Sequence, residues 1–74
     1  MLKNDIGTNA GIIWQVLSEK GELTVRELGE YTNFKDYFIL LALGWLARED
    51  KVHFVDKNGI MYVALNKPTS EWFY

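Results

Sequence analysis

The sequence predicts one α+β domain: three helices followed by a two-stranded β-hairpin. Three observations carry that prediction. Apolar residues recur at helical spacing in three stretches before residue 50. After Asp50 the period changes from helical to two. Lys57-Asn58-Gly59 then separates two alternating runs, residues 51–56 and 60–65. Asn-Gly between such runs is the strongest short hairpin signal, because both residues accept positive φ. The 74 residues make a single domain, 1–74. A chain of this size buries only a little over ~60% of its unfolded surface, so a partner chain would add stability.

Asp5 or Thr8 is the expected cap of the first helix, since either side chain accepts hydrogen bonds from free backbone N–H groups. Ile6, Ala10, Ile13 and Leu17 follow at helical spacing with Val16 beside them. Gly21 suits the left-handed residue that ends a helix. Trp14 lies off this stripe, either as a flank of the core or as part of a second apolar surface. Glu22-Leu23 makes a short extended link or one small extra strand. Thr24 starts the second helix with a capping box, in which Thr24 accepts from the Glu27 N–H and Glu27 reaches back to the Thr24 N–H. Val25, Leu28 and Tyr31 form its apolar face. Thr32-Asn33 ends it, because asparagine tolerates the left-handed conformation. Phe34 plugs the turn.

The third helix, residues 35–50, starts at Lys35 or Asp36 and organises the chain. Residues 37–43 are seven consecutive apolar positions, and Trp45, Leu46 and Ala47 extend the run. A surface helix ordinarily carries one apolar stripe and a polar back; this one lacks the polar back and needs cover on both sides. At 100° per residue, Ile39, Ala42, Leu43 and Leu46 fall together and face the core. The opposite arc holds Tyr37, Phe38, Leu40, Leu41, Gly44, Trp45 and Arg48. Glycine inside a helix costs ~1 kcal/mol relative to alanine. At Gly44 that cost is tolerable if a ring, from Trp45 or a partner, comes close.

Helix, link, capped helix, tight turn, helix, hairpin is the element order of a winged helix-turn-helix domain, and the resemblance covers essentially the whole chain. The segment from Leu23 through Thr24, Val25, Arg26 and Glu27 to Leu28 resembles the start of that superfamily's second helix. Leu43, Leu46 and Val52 resemble its buried positions running into the wing. Asn9-Ala10-Gly11 with Trp14, Lys20-Gly21-Glu22-Leu23 and residues 41–49 (LALGWLARE) together resemble a small bacterial and archaeal winged-helix family of unestablished function. Two positions depart from the pattern. Asp50 stands where such domains often place glycine, and Lys35 where they often place Ser or Thr.

The resemblance raises DNA binding as one function, and the charges argue against it. The net charge is −2, and the eight basic residues are scattered among acids. Nucleic-acid-binding domains usually carry a basic patch. A major-groove helix needs donors and acceptors on its outer face, whereas the outer arc here offers only Arg48. With Lys35 and the wing-tip Lys57, that allows weak, mainly phosphate-directed contacts. A DNA-binding regulator of that kind is the alternative reading.

Other chemistries are not supported. There are no cysteines, so no disulfide or thiolate metal site forms. His53 is the sole histidine, a surface or half-buried wing residue without partners for a triad or metal centre. No phosphate-cradling glycine loop is present. No enzymatic activity, cofactor, metal or small-molecule substrate is expected. No apolar run approaches the ~20 residues of a membrane span, and a cytoplasmic location is the expectation.

The outer arc reads instead as a protein-contact surface, because large exposed apolar patches mark interaction sites. A second copy of the chain is the simplest partner. Cover by the chain's own Trp72, Phe73 and Tyr74, in cis or across a dimer, and a different protein are the alternatives.

Overall fold

The apolar periodicities become six elements in a computed structural model that describes residues 3–66. They are α1 (Lys3–Lys20), β1 (Leu23–Thr24), α2 (Val25–Thr32), α3 (Asp36–Arg48), β2 (Val52–Lys57) and β3 (Ile60–Leu65). The three strands form an antiparallel sheet in the order β1-β3-β2. Leu23 pairs with Val63 and Thr24 with Tyr62, while the hairpin runs from Val52 opposite Leu65 to Lys57 opposite Ile60. This is the winged helix-turn-helix arrangement.

Burial follows the helical spacing. Ala10, Ile13 and Leu17 of α1 meet Leu28 of α2 and Ile39, Ala42, Leu43 and Leu46 of α3. Leu23, Val52 and Val63 close the core from the sheet. Burying one such aliphatic side chain contributes roughly 1.5–3 kcal/mol. Phe34 packs against the cluster from the turn between α2 and α3. None of the described helices is long and apolar enough to cross a membrane.

The helix ends explain the chain reversals. Thr24 and Glu27 form the reciprocal capping box: the Glu27 N–H donates to Thr24 Oγ1 at 3.1 Å and the Thr24 N–H to Glu27 Oε1 at 2.9 Å. Asn33 takes φ 62° at the end of α2, its N–H donating to the Gly29 carbonyl. Thr32 Oγ1 braces the same turn, donating to the Leu28 carbonyl and accepting from the Phe34 N–H. At the end of α3, Asp50 takes φ 59°, the Lys51 N–H donates to Leu46 O, and the Asp50 N–H donates to Ala47 O. That double closure is a Schellman motif, which ordinarily places glycine at the left-handed position. Asp50 performs the same reversal without glycine.

Asn66 holds that corner to the end of β3. Its backbone N–H donates to Lys51 O at 2.9 Å, and its Nδ2 donates to Asp50 O at 2.8 Å. Its Oδ1 lies 2.7 Å from Nδ1 of His53, which donates to it.

Several local expectations shift. Asp5 and Thr8 lie inside α1 rather than capping it, because the helix begins by Lys3; Asp5 stands in its first turn, where a carboxylate favours the helix dipole. The extra strand is Leu23–Thr24, one residue later than Glu22-Leu23, because its register follows Val63 and Tyr62 of β3. The wing strand likewise runs Val52–Lys57, since Lys51 belongs to the closure of α3. Tyr31 lies outside the apolar face of α2: it is exposed, with the Lys20 ammonium 5.3 Å from its ring centre. Asn58 and Gly59, at φ 57° and 83°, make the expected hairpin turn, shortened to two residues because Lys57 belongs to β2.

Asn66→Ala removes the side-chain half of the clasp and leaves the Asp50 corner held by backbone alone. We expect a loss of about 1–2 kcal/mol, read as a lower urea midpoint with an unchanged slope.

Candidate functional site

The outward face of α3 is the candidate site, and the geometry of its two sides is set by the core. With Ile39, Ala42, Leu43 and Leu46 turned inward, helical spacing turns Tyr37, Leu40, Leu41, Gly44 and Arg48 outward. Tyr37, Leu40 and Leu41 are 54%, 52% and 47% exposed. These are large apolar side chains in one contiguous stripe, broken by the bare backbone of Gly44 and ended by Arg48. The N-terminal end carries Asp36 in the first helical turn and Lys35 as a cap without a side-chain hydrogen bond. Tyr37 and Phe38 lie ring against ring, centres 4.4 Å apart.

Two members of the expected arc lie elsewhere. Trp45 is half-buried and turned toward α1, and a Cβ at Gly7 would sit 3.5 Å from its ring. The indole therefore packs over the gap that glycine leaves in α1. Phe38 is half-buried on the same flank by helical spacing. Apart from its chain neighbours and its own helix backbone, nothing lies within 4 Å of where a Cβ at Gly44 would stand. Trp72, Phe73 and Tyr74 lie outside the described residues.

Trp45 instead helps form a groove of about 300 Å³ between α1 and the C-terminal end of α3. Gly7, Ala10 and Gly11 line it from α1, Leu46 from α3, Glu49 and Lys51 from the following corner, and Trp14 from one side. Of the two places the sequence left open for Trp14, the exposed apolar surface is the one it takes, beside this groove. Further apolar surface lies on the hairpin. Phe54 and Met61 are exposed on the sheet face that carries Val52 and Val63, and Ile60 on the opposite face. Met61 and Ile60 lie toward the tip beyond Val63, whereas Phe54 stands opposite the buried Val63 but on the edge strand β2; strand alternation signalled the face but not where the core stops.

The cations are largely committed locally. Arg26 lies 3.9 Å from Glu30, Lys51 lies 3.5 Å from Glu49, and Lys57 is paired with Glu22. Lys57 also stands 4.9 Å from the Tyr62 ring centre. The hydrogen-bonded Glu22 carboxylate holds its ammonium above the ordinary 10.5, partial desolvation working against it. Among the described residues, Lys35 and Arg48 make no ion pair, and they sit at opposite ends of α3. The described residues contain no cluster of three or more His, Asp or Glu able to hold a metal.

The chain matches the family model described as a winged helix-turn-helix domain (DUF2582) over residues 1–65. It is similar to the solution NMR structure of protein BT2368 from Bacteroides thetaiotaomicron, at 34% sequence identity and a TM-score of 0.82. That similarity covers 100% of this chain and 87% of the other. No curated protein matches the sequence.

The Lys57–Glu22 pair ties the wing to the segment leading into β1. Because the folded-state value of Lys57 is raised, its contribution is fully present below the unfolded value and is lost as pH rises through the folded one. Glu22→Gln should lower the thermal midpoint near neutral pH. The difference from the parent should disappear when melts are recorded above the lysine range.

Proposed function

The chain belongs to the winged helix-turn-helix family DUF2582, and on that scaffold we propose that it serves as a non-enzymatic protein-interaction module that forms a homodimer through the outer face of α3. One observation carries the reading. The face that a DNA-binding relative gives to the major groove here presents Tyr37, Leu40 and Leu41, each about half exposed, with one cation at its end. Base edges need paired donors and acceptors. Apolar and aromatic side chains instead gain free energy when another protein removes them from water.

Phosphate binding is weakly supported on the same grounds. Lys57 is engaged by Glu22, and Lys35 is next to Asp36. Arg48 remains, and single phosphate contacts give weak, salt-labile binding. A second copy is favoured among protein partners because symmetric dimers are the commonest oligomers. Trp72, Phe73 and Tyr74 belong to the proposed interface on their sequence alone, as aromatic residues close to one another.

Leu41→Glu tests the reading cleanly, since Leu41 lies outside the core. Trp45→Glu is less suitable, because it also removes the packing on Gly7. Sedimentation equilibrium should give twice the protomer mass for the parent and a folded monomer for Leu41→Glu. Duplex DNA titrated at low salt should produce no complex. An unchanged mass for the variant would sink the dimer face. DNA binding that weakens steeply with salt would move the chain to the regulator class.

A further inference from the structure

Gly44 occupies the middle of α3 without an internal reason. Glycine there sacrifices helix stability, and beyond its chain neighbours and its own helix backbone nothing lies within 4 Å of where its Cβ would stand. Gly7 and Gly29 differ, since each has a neighbour at 3.5 Å: the Trp45 ring for Gly7 and Ile39 Cδ1 for Gly29. Gly11 also faces open space, but it lines the groove beside Trp14, away from the stripe. Gly44 is therefore a notch in an otherwise bulky outward face, one turn from Leu40 and Leu41.

We infer that two copies of α3 pack antiparallel across a two-fold axis beside residues 42 and 43, with Leu41 of each copy seated in the Gly44 notch of the other. The inference rests on the dimer reading above and specifies its geometry. Shape and charge lead to the same arrangement. An axis at that point sets Leu41 opposite Gly44 and Tyr37 opposite Arg48, each contact occurring twice. Asp36, on the edge of the face, comes within reach of Arg48 of the second copy. A parallel pairing would instead set Asp36 on Asp36 and Arg48 on Arg48, like charge on like. Backbone approach at a glycine also allows the closer helix spacing that a short seam requires. A helix of 13 residues spans about 20 Å. Its seam is smaller than the roughly 1,600 Å² standard interface, so the dimer should dissociate on dilution.

Gly44→Ala separates the roles of glycine in the protomer and in the dimer. The methyl group meets nothing in the protomer and removes the glycine penalty, so the unfolding midpoint of dilute protein should rise. The same methyl fills the notch, so the dimer should weaken by about tenfold. Arg48→Asp and Asp36→Arg should each weaken the dimer, and the double variant should restore it. Circular dichroism confirms folding in every case. A parent that stays monomeric at all concentrations overturns both the dimer reading and this geometry. A parent that dimerises and loses the dimer in Leu41→Glu, but keeps it unchanged in Gly44→Ala and in both charge variants, overturns the antiparallel notch alone.

Discussion

The wall formed by Ile39, Ala42, Leu43 and Leu46 on α3 is the constraint on which the other elements depend. All four are buried, and α1, α2 and the sheet take their positions by covering them. Once that wall is fixed, a helix has no freedom left in what it shows to water. Tyr37, Leu40, Leu41 and Gly44 face outward because the wall faces inward. The helix also ends on the wall, since the Lys51 N–H closes on the carbonyl of Leu46. The strand that starts at Val52 therefore leaves from a corner defined by the core.

The fold was largely readable because its signals are local. The Thr24–Glu27 box, Gly21, Asn33 and Asn58-Gly59 each act within a few residues, and each appears where its chemistry requires. The inward wall of α3 was readable too, because helical spacing alone defines it. The direction of Trp45 was not. A wheel places it on the outer arc, and its turn toward α1 depends on Gly7, thirty-eight positions earlier in the sequence. The Lys57–Glu22 pair was hidden for the same reason, since it forms only when β1 and the wing meet. Tyr31 shows the converse case. Its spacing fits the apolar face of a short helix, but the described core ends before it, and it stands exposed beside Lys20.

The electrostatics supports the division between scaffold and function. This domain has the winged helix-turn-helix geometry, in which DNA-binding helix-turn-helix proteins lay one helix in the major groove. Its cations are used differently: Arg26, Lys51 and Lys57 are each neutralised by a nearby carboxylate. Those exposed pairs add little to stability. Their larger effect is to leave no continuous positive field on the face where α3 and the wing meet solvent. On the proposed reading, the fold supplies the platform and the side chains on α3 determine what the platform meets.

The separation of the two faces of α3 has an evolutionary consequence. Tyr37, Leu40, Leu41, Gly44 and Arg48 are all exposed, while the four wall residues contribute almost nothing to the outer surface. Selection can therefore rewrite one list without disturbing the other. A lineage could exchange this surface for a nucleic-acid-reading one, or the reverse, through a handful of independent substitutions, each leaving a folded intermediate. The same topology can thus diversify in what it recognises while its core drifts slowly.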